Sequence, residues 1–176
     1  MPTSDTLNLT EFTVLIAEDE PALAKVLATT LEGEGLRPII VHDGDNALAL
    51  ARGLQPDILV SDVMMPGKTG IEICRELKAD LATATIPVIL LTAKAQMEDR
   101  QEGFAAGAIE YLTKPFSPIE LITLIHKILD GQVIEPQLDR PDLSVLPVDQ
   151  LAIYARELRE LYENPVIVKP PVKGVI

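Results

Sequence analysis

The chain contains no tryptophan, and its aromatic complement stops at three phenylalanines and three tyrosines. With 47% of its residues hydrophobic, whatever core it builds is aliphatic. A single cysteine, Cys74, excludes an intramolecular disulfide and fits a reducing compartment. No apolar run approaches the length of a bilayer span. The opening residues also lack the basic-then-apolar layout of a signal peptide, so a soluble cytoplasmic protein with no membrane partner is expected. Basic residues are scarce as well. The 15 Lys and Arg against 27 Asp and Glu leave a formal charge of −12, a balance that speaks against DNA as a partner.

What is present is a regular alternation. The 176 residues suit one domain with an appendage. Strand-length apolar runs occur at Thr13–Ala17, Arg37–Val41, Asp57–Ser61, Pro87–Leu91 and Ala108–Leu112. Most are nearly continuous in Val, Ile and Leu, as strands buried on both faces of a parallel sheet are. Helix-period segments lie between and after them, at roughly 21–32, 44–53, 70–79, 96–106 and 117–129. Pro21 suits a first helical turn. Leu121, Ile122, Ile125, Ile128 and Leu129 form one wide stripe on the last helix. Gly33, Gly35, Gly53, Gly107 and Gly131 fall near helix ends, where left-handed caps are wanted. Five β–α units in strict alternation imply an α/β fold, a doubly wound parallel sheet with right-handed crossovers.

Composition divides the chain further. Residues 1–12 read as a flexible leader and 13–130 as the α/β domain. Residues 131–147 contain Pro136, Pro141 and Pro147 and read as a linker, and 148–163 as an amphipathic helix forming a C-terminal helical extension. In that helix Leu151, Tyr154, Leu158 and Leu161 repeat at three-and-four spacing. Residues 164–176 form a tail with no assigned structure.

In an open parallel sheet, functional groups gather beyond the carboxyl ends of the strands. Here those ends carry Glu18-Asp19-Glu20, Asp62, Thr92 and Lys114-Pro115. Two or three carboxylates, a hydroxyl and an ammonium therefore converge on one edge from positions scattered over the chain. Clustered carboxylates repel unless a cation lies among them, and oxygen-only ligands suit magnesium. A magnesium ion beside a carboxylate and a lysine is a place for a phosphoryl group. Glu20 reads as a residue that caps or solvates the first helix, His126 as a solvated surface residue, His42 as a loop residue and Cys74 as core filler. Met64 and Met65 read as apolar loop packing, because magnesium has no use for sulfur.

From 13 to 130 the chain resembles the receiver domains of bacterial two-component response regulators. The likeness rests on five features in order. They are Glu18-Asp19 after the first strand, Asp62 in SDVMMPGKTGIE with Pro66 and Gly70, Thr92-Ala93, Tyr111, and Lys114-Pro115-Phe116. The resemblance implies a flavodoxin-like sheet of order 2-1-3-4-5. It also implies a phosphoacceptor switch that takes its phosphoryl group from a sensor histidine kinase or histidine phosphotransfer protein. In that scheme Asp62 is the nucleophile. Asp19, Asp62 and the Met64 main-chain carbonyl bind Mg2+, with Glu18 acting largely through water. Lys114 pairs with a phosphoryl oxygen, Thr92 donates its hydroxyl, and Tyr111 changes rotamer as Thr92 moves. A cis Lys114–Pro115 bond is implied too.

Such a switch is not an enzyme beyond its own phosphorylation and dephosphorylation. Its output goes to an unknown protein or to a homodimer, made through the 148–163 helix or through a face containing Ile109 and Leu124. Those two apolar residues stand where DNA-binding members tend to carry charge. The alternative is an aspartate-nucleophile phosphatase of the haloacid-dehalogenase type, which would need an acidic residue two positions after Asp62, where this chain has Met64. A nucleotide-binding protein fits less well, since Glu18-Asp19-Glu20-Pro21 lacks phosphate-cradling glycines.

Overall fold

A computed structural model describes residues 12–93 and 97–131. The helix and tail expected over 148–176, and the expected linker past residue 131, lie outside the described residues, as do residues 1–11 and 94–96.

Five parallel strands, β1 (Thr13–Ala17), β2 (Arg37–Val41), β3 (Ile58–Asp62), β4 (Val88–Thr92) and β5 (Glu110–Thr113), lie in the order β2-β1-β3-β4-β5. The helices are α1 (Pro21–Gly33), α2 (Gly44–Leu54), α3 (Gly70–Ala79), α4 (Met97–Ala105) and α5 (Pro118–Leu129). The doubly wound fold and strand order expected from the sequence are those observed. Continuous apolar runs mark the strands because both faces are covered. Leu15, Leu59, Leu90 and Tyr111 point into one core beneath α2, α3 and α4, whereas Val14, Ile16, Val60, Ile89 and Leu91 point into another beneath α1 and α5. β3 and β4 each end one residue later than expected, at Asp62 and Thr92, which puts both residues inside the ladder.

Local chemistry accounts for the helix starts. Thr69 with Glu72, and Ser117 with Glu120, form capping boxes at α3 and α5, and Asp43 caps α2 by accepting from the Asn46 amide. Pro21 and Pro118 occupy first turns, where a missing N–H costs nothing. Among the expected glycine caps, Gly35, Gly107 and Gly131 have positive φ. Gly53 does not act as the α2 cap; Gln55 takes the left-handed conformation there with φ 48°.

Three expectations need correction. Ile109 and Leu124, expected at an apolar contact face, are 3% and 8% exposed and belong to the core beneath α1 and α5. Leu124 lies three and four positions from Leu121 and Ile128, on the stripe that faces the sheet, while Ile122 is only partly buried. They offer no free surface for a partner. Phe12, assigned to the leader, is buried, and its carbonyl accepts from the Arg37 amide at 2.9 Å. Met65 packs into the core as expected, but Met64 is 63% exposed. Among the described residues, no helix is long and apolar enough to cross a membrane.

Candidate phosphoryl and cation site

Parallel pairing brings the carboxyl ends of β1, β3, β4 and β5 to one edge of the sheet. Ala17 pairs with Ser61, Asp62 with Leu91 and Thr92 with Thr113. The side chains that follow or end these strands are therefore neighbours. Gly70 lets α3 start hard against β3, since a Cβ there would lie 2.3 Å from the Asp62 carbonyl oxygen. Gly44 performs the same service for the loop after β3, whose Pro66 carbonyl accepts from the Gly44 amide at 2.9 Å.

Glu18, Asp19 and Asp62 each bring a carboxylate oxygen within 4.8 Å of the others, an arrangement that could hold a metal ion. Glu18 is fully buried and Asp62 nearly so, while Asp19 is exposed. Lys114 Nζ donates to Asp62 Oδ2 at 2.7 Å and to Glu18 Oε2 at 2.8 Å. The other oxygens are held as well. Asp62 Oδ1 accepts from the Met64 amide at 3.0 Å, and Glu18 Oε1 from the Glu20 amide at 3.1 Å. Thr92 is buried at the end of β4, and its carbonyl accepts from the Lys114 amide at 2.6 Å, which fixes β5's exit beside it. The Lys114–Pro115 bond is cis, as expected. Tyr111 is buried in the α2–α3–α4 core, its ring centroid 6.5 Å from that of Phe104.

Electrostatics favour an added cation. Burial raises the Glu18 pKa, and the hydrogen bonds from Lys114 and Glu20 offset this only in part. Burial alone would depress the Lys114 ammonium, but its hydrogen bonds to Asp62 and Glu18 outweigh that and hold its pKa above the usual lysine range. One ammonium among three carboxylates leaves an excess of negative charge at the mouth of the site. The donors are all oxygens, as a hard divalent cation requires.

Glu18, Asp19 and Asp62, together with Lys114 and Thr92, thus share one edge. Two features were not read from the sequence. Lys114 bridges Glu18 and Asp62 directly. The His42 ring, one residue past β2, lies with Nδ1 2.9 Å from the Glu18 carbonyl oxygen. Only the adjacency of β2 to β1 could have pointed to His42. Glu20 is a helix-entry residue, its carbonyl accepting from Ala24 at 3.0 Å. His126 is partly exposed with Nε2 3.5 Å from Glu34, and Cys74 is buried, donating to the Ala106 carbonyl at 3.4 Å.

Residues 14–126 match the family model for the response regulator receiver domain. The DNA-binding response regulator MtrA of Mycolicibacterium smegmatis is 33% identical over 176 residues, taking in 89% of this chain and 76% of that protein. The phosphate regulon transcriptional regulatory protein PhoB of Escherichia coli is 33% identical over 151 residues, 84% of this chain and 66% of that one. Chemotaxis response regulator CheY4 of Vibrio cholerae superposes with a TM-score of 0.62 at 32% identity, covering 66% of this chain and 97% of that one. The receiver domain of the sensor histidine kinase PA1611 from Pseudomonas aeruginosa, with a magnesium ion coordinated in its active-site cleft, has a TM-score of 0.61 at 32% identity, covering 66% and 95%.

The expectation that DNA is no partner is overturned by these relatives, MtrA being a DNA-binding regulator aligned over most of the chain. Net charge is a sum over all residues, and a sum neither locates nor excludes a basic surface.

Proposed function

This chain belongs to the response regulator receiver domain family, and on that premise we propose that it is the phosphoacceptor switch of a two-component phosphorelay, working in the cytoplasm. The observation that carries this reading is the double hydrogen bond of Lys114 to Asp62 and Glu18. It holds a nucleophilic carboxylate and a cation side by side at the sheet edge.

The phosphoryl donor is a phosphohistidine of a sensor kinase or phosphotransfer protein. An Asp62 carboxylate oxygen forms the new P–O bond as the donor's P–N bond breaks, and the imidazole leaves with the electron pair. Lys114 then transfers its ammonium contact to a phosphoryl oxygen, and Thr92 donates its hydroxyl to another. Asp19, Asp62 and the Met64 main-chain carbonyl would hold Mg2+, with Glu18 acting through water; when bound, the ion supplies neutralising charge to the phosphoryl oxygens. The movement of Thr92 is read out by Tyr111, which changes rotamer. The process under control is the one for which MtrA is named, DNA binding.

Incubation with a small acyl phosphate and MgCl2, followed by intact-mass measurement, tests the reading. One phosphoryl adduct is expected, absent in Asp62→Asn and absent in chelator. Adduct formation by Asp62→Asn would refute it. A phosphatase of the haloacid-dehalogenase type would instead release phosphate over many turnovers without accumulating an adduct.

A further inference from the structure

β1 and β2 pair in register from Thr13 with Arg37 to Ala17 with Val41, and one further rung follows, the Glu18 amide donating to the Val41 carbonyl at 3.1 Å. The next donor in a parallel ladder would come from the chain after His42. There Asp43 instead turns into α2 as its N-cap. The Glu18 carbonyl would lose its ladder partner at this point. The His42 ring takes the vacant place, with Nδ1 at 2.9 Å. A carbonyl oxygen only accepts, so Nδ1 carries the proton, and it does so whether the ring is neutral or charged.

This carbonyl belongs to the peptide joining Glu18 to Asp19. Glu18's own carboxylate is held twice over, by Lys114 and by the Glu20 amide. Asp19 is different. It is the exposed member of the three-carboxylate cluster, and its place is set by the backbone that leads into it. We infer that His42 is a positioning residue for the cation site. By holding the Glu18–Asp19 peptide plane, it keeps the Asp19 carboxylate in range of Asp62 and Glu18. This inference rests on the reading of that cluster as a divalent-cation site.

Calorimetric titration of MgCl2 into the full chain tests it, with thermal unfolding in chelator recorded alongside. His42→Ala should weaken Mg2+ binding about fivefold, the value of one neutral hydrogen bond that preorganises a ligand. His42→Asn should restore most of the affinity, since its side-chain N–H stands where the Nδ1 proton stood. His42→Gln, one methylene longer, should not. Affinity of His42→Ala within twofold of the wild type would overturn the inference. So would His42→Asn restoring thermal stability but not affinity, because His42 would then be only a structural tie. A wild-type chain that binds no Mg2+ would overturn the cation-site reading itself, and this inference with it.

Discussion

Gly103 of α4 lies against the Tyr111 ring so closely that a Cβ at 103 would sit 2.9 Å from Tyr111 Cε2 and 3.0 Å from Leu90 Cδ1. Two opposing effects therefore meet at this residue. Alanine is a better helix former than glycine by about 1 kcal/mol. Overpacking a filled core costs about 1–3 kcal/mol, and a ring yields less readily than the end of a leucine. Gly103→Ala is accordingly expected to destabilise the protein by about 1 kcal/mol in urea unfolding. In a Tyr111→Leu background the ring contact is gone, and the same change should become neutral or stabilising. Equal effects in the two backgrounds would show that the ring contact does not govern the site.

Glu110 supplies a pH dependence away from the carboxylate cluster. It is buried on β5, beside Tyr111, whose amide donates to its Oε1 at 2.9 Å. Burial raises its pKa above the ordinary 4.5, although that amide and the charges of Arg100 and Lys127 pull the other way. The protonated form is thus the one the fold tolerates better. Its stabilising contribution is complete below the ordinary value and is lost as pH rises through the raised one. Glu110→Gln keeps an acceptor for the Tyr111 amide without the charge. It should be more stable than the wild type at neutral pH by on the order of 1 kcal/mol, with the gap closing towards pH 4. A gap that is constant with pH would refute this.

How far these features could be read in advance depended on what they require. The site edge needed only the order of strands and the residues at their ends, so Glu18, Asp19, Asp62, Thr92 and Lys114 were all legible. The capped starts of α3 and α5 carry their own signal in Thr69–Glu72 and Ser117–Glu120. Leu124 was misjudged because one position of helical phase, 100° of rotation, decides between core and rim. Gln55 occupies a left-handed cap that sequence assigns to glycine. His42 acts through a strand neighbour and a carbonyl, and neither leaves a trace in residue type.

Divalent cations should stabilise the folded chain by linkage. At a Mg2+ concentration about 100 times its dissociation constant the gain is about 2.7 kcal/mol, read as a rise in Tm at matched ionic strength. Asp19→Asn alters an exposed side chain and should leave the chelated Tm unchanged while reducing that gain. Lys114→Met should act in the opposite sense. It leaves Glu18 and Asp62 without their shared ammonium, which costs roughly 3 kcal/mol without metal, and Mg2+ should recover part of the loss. An Asp19→Asn protein that gains as much from Mg2+ as the wild type would remove Asp19 from the cation site.

On the proposed function, Met64 should bear on the lifetime of an aspartyl phosphate at Asp62. Its amide donates to Asp62 Oδ1, so its side chain begins two residues from the acceptor, and that side chain is 63% exposed. Hydrolysis requires a water aligned with the P–O bond, and alignment requires a polar group to hold it. A thioether is at best a weak acceptor and donates nothing. The phosphorylated form is therefore expected to decay slowly, and a polar residue at this position should shorten its life. Met64→Asn introduces both a donor and an acceptor at an exposed site, where the substitution should leave stability within about 0.5 kcal/mol. Loss of the phosphoryl adduct, followed by intact mass after removal of the donor, should then accelerate severalfold. If Met64→Asn decays no faster than the wild type, water access past this side chain does not set the lifetime.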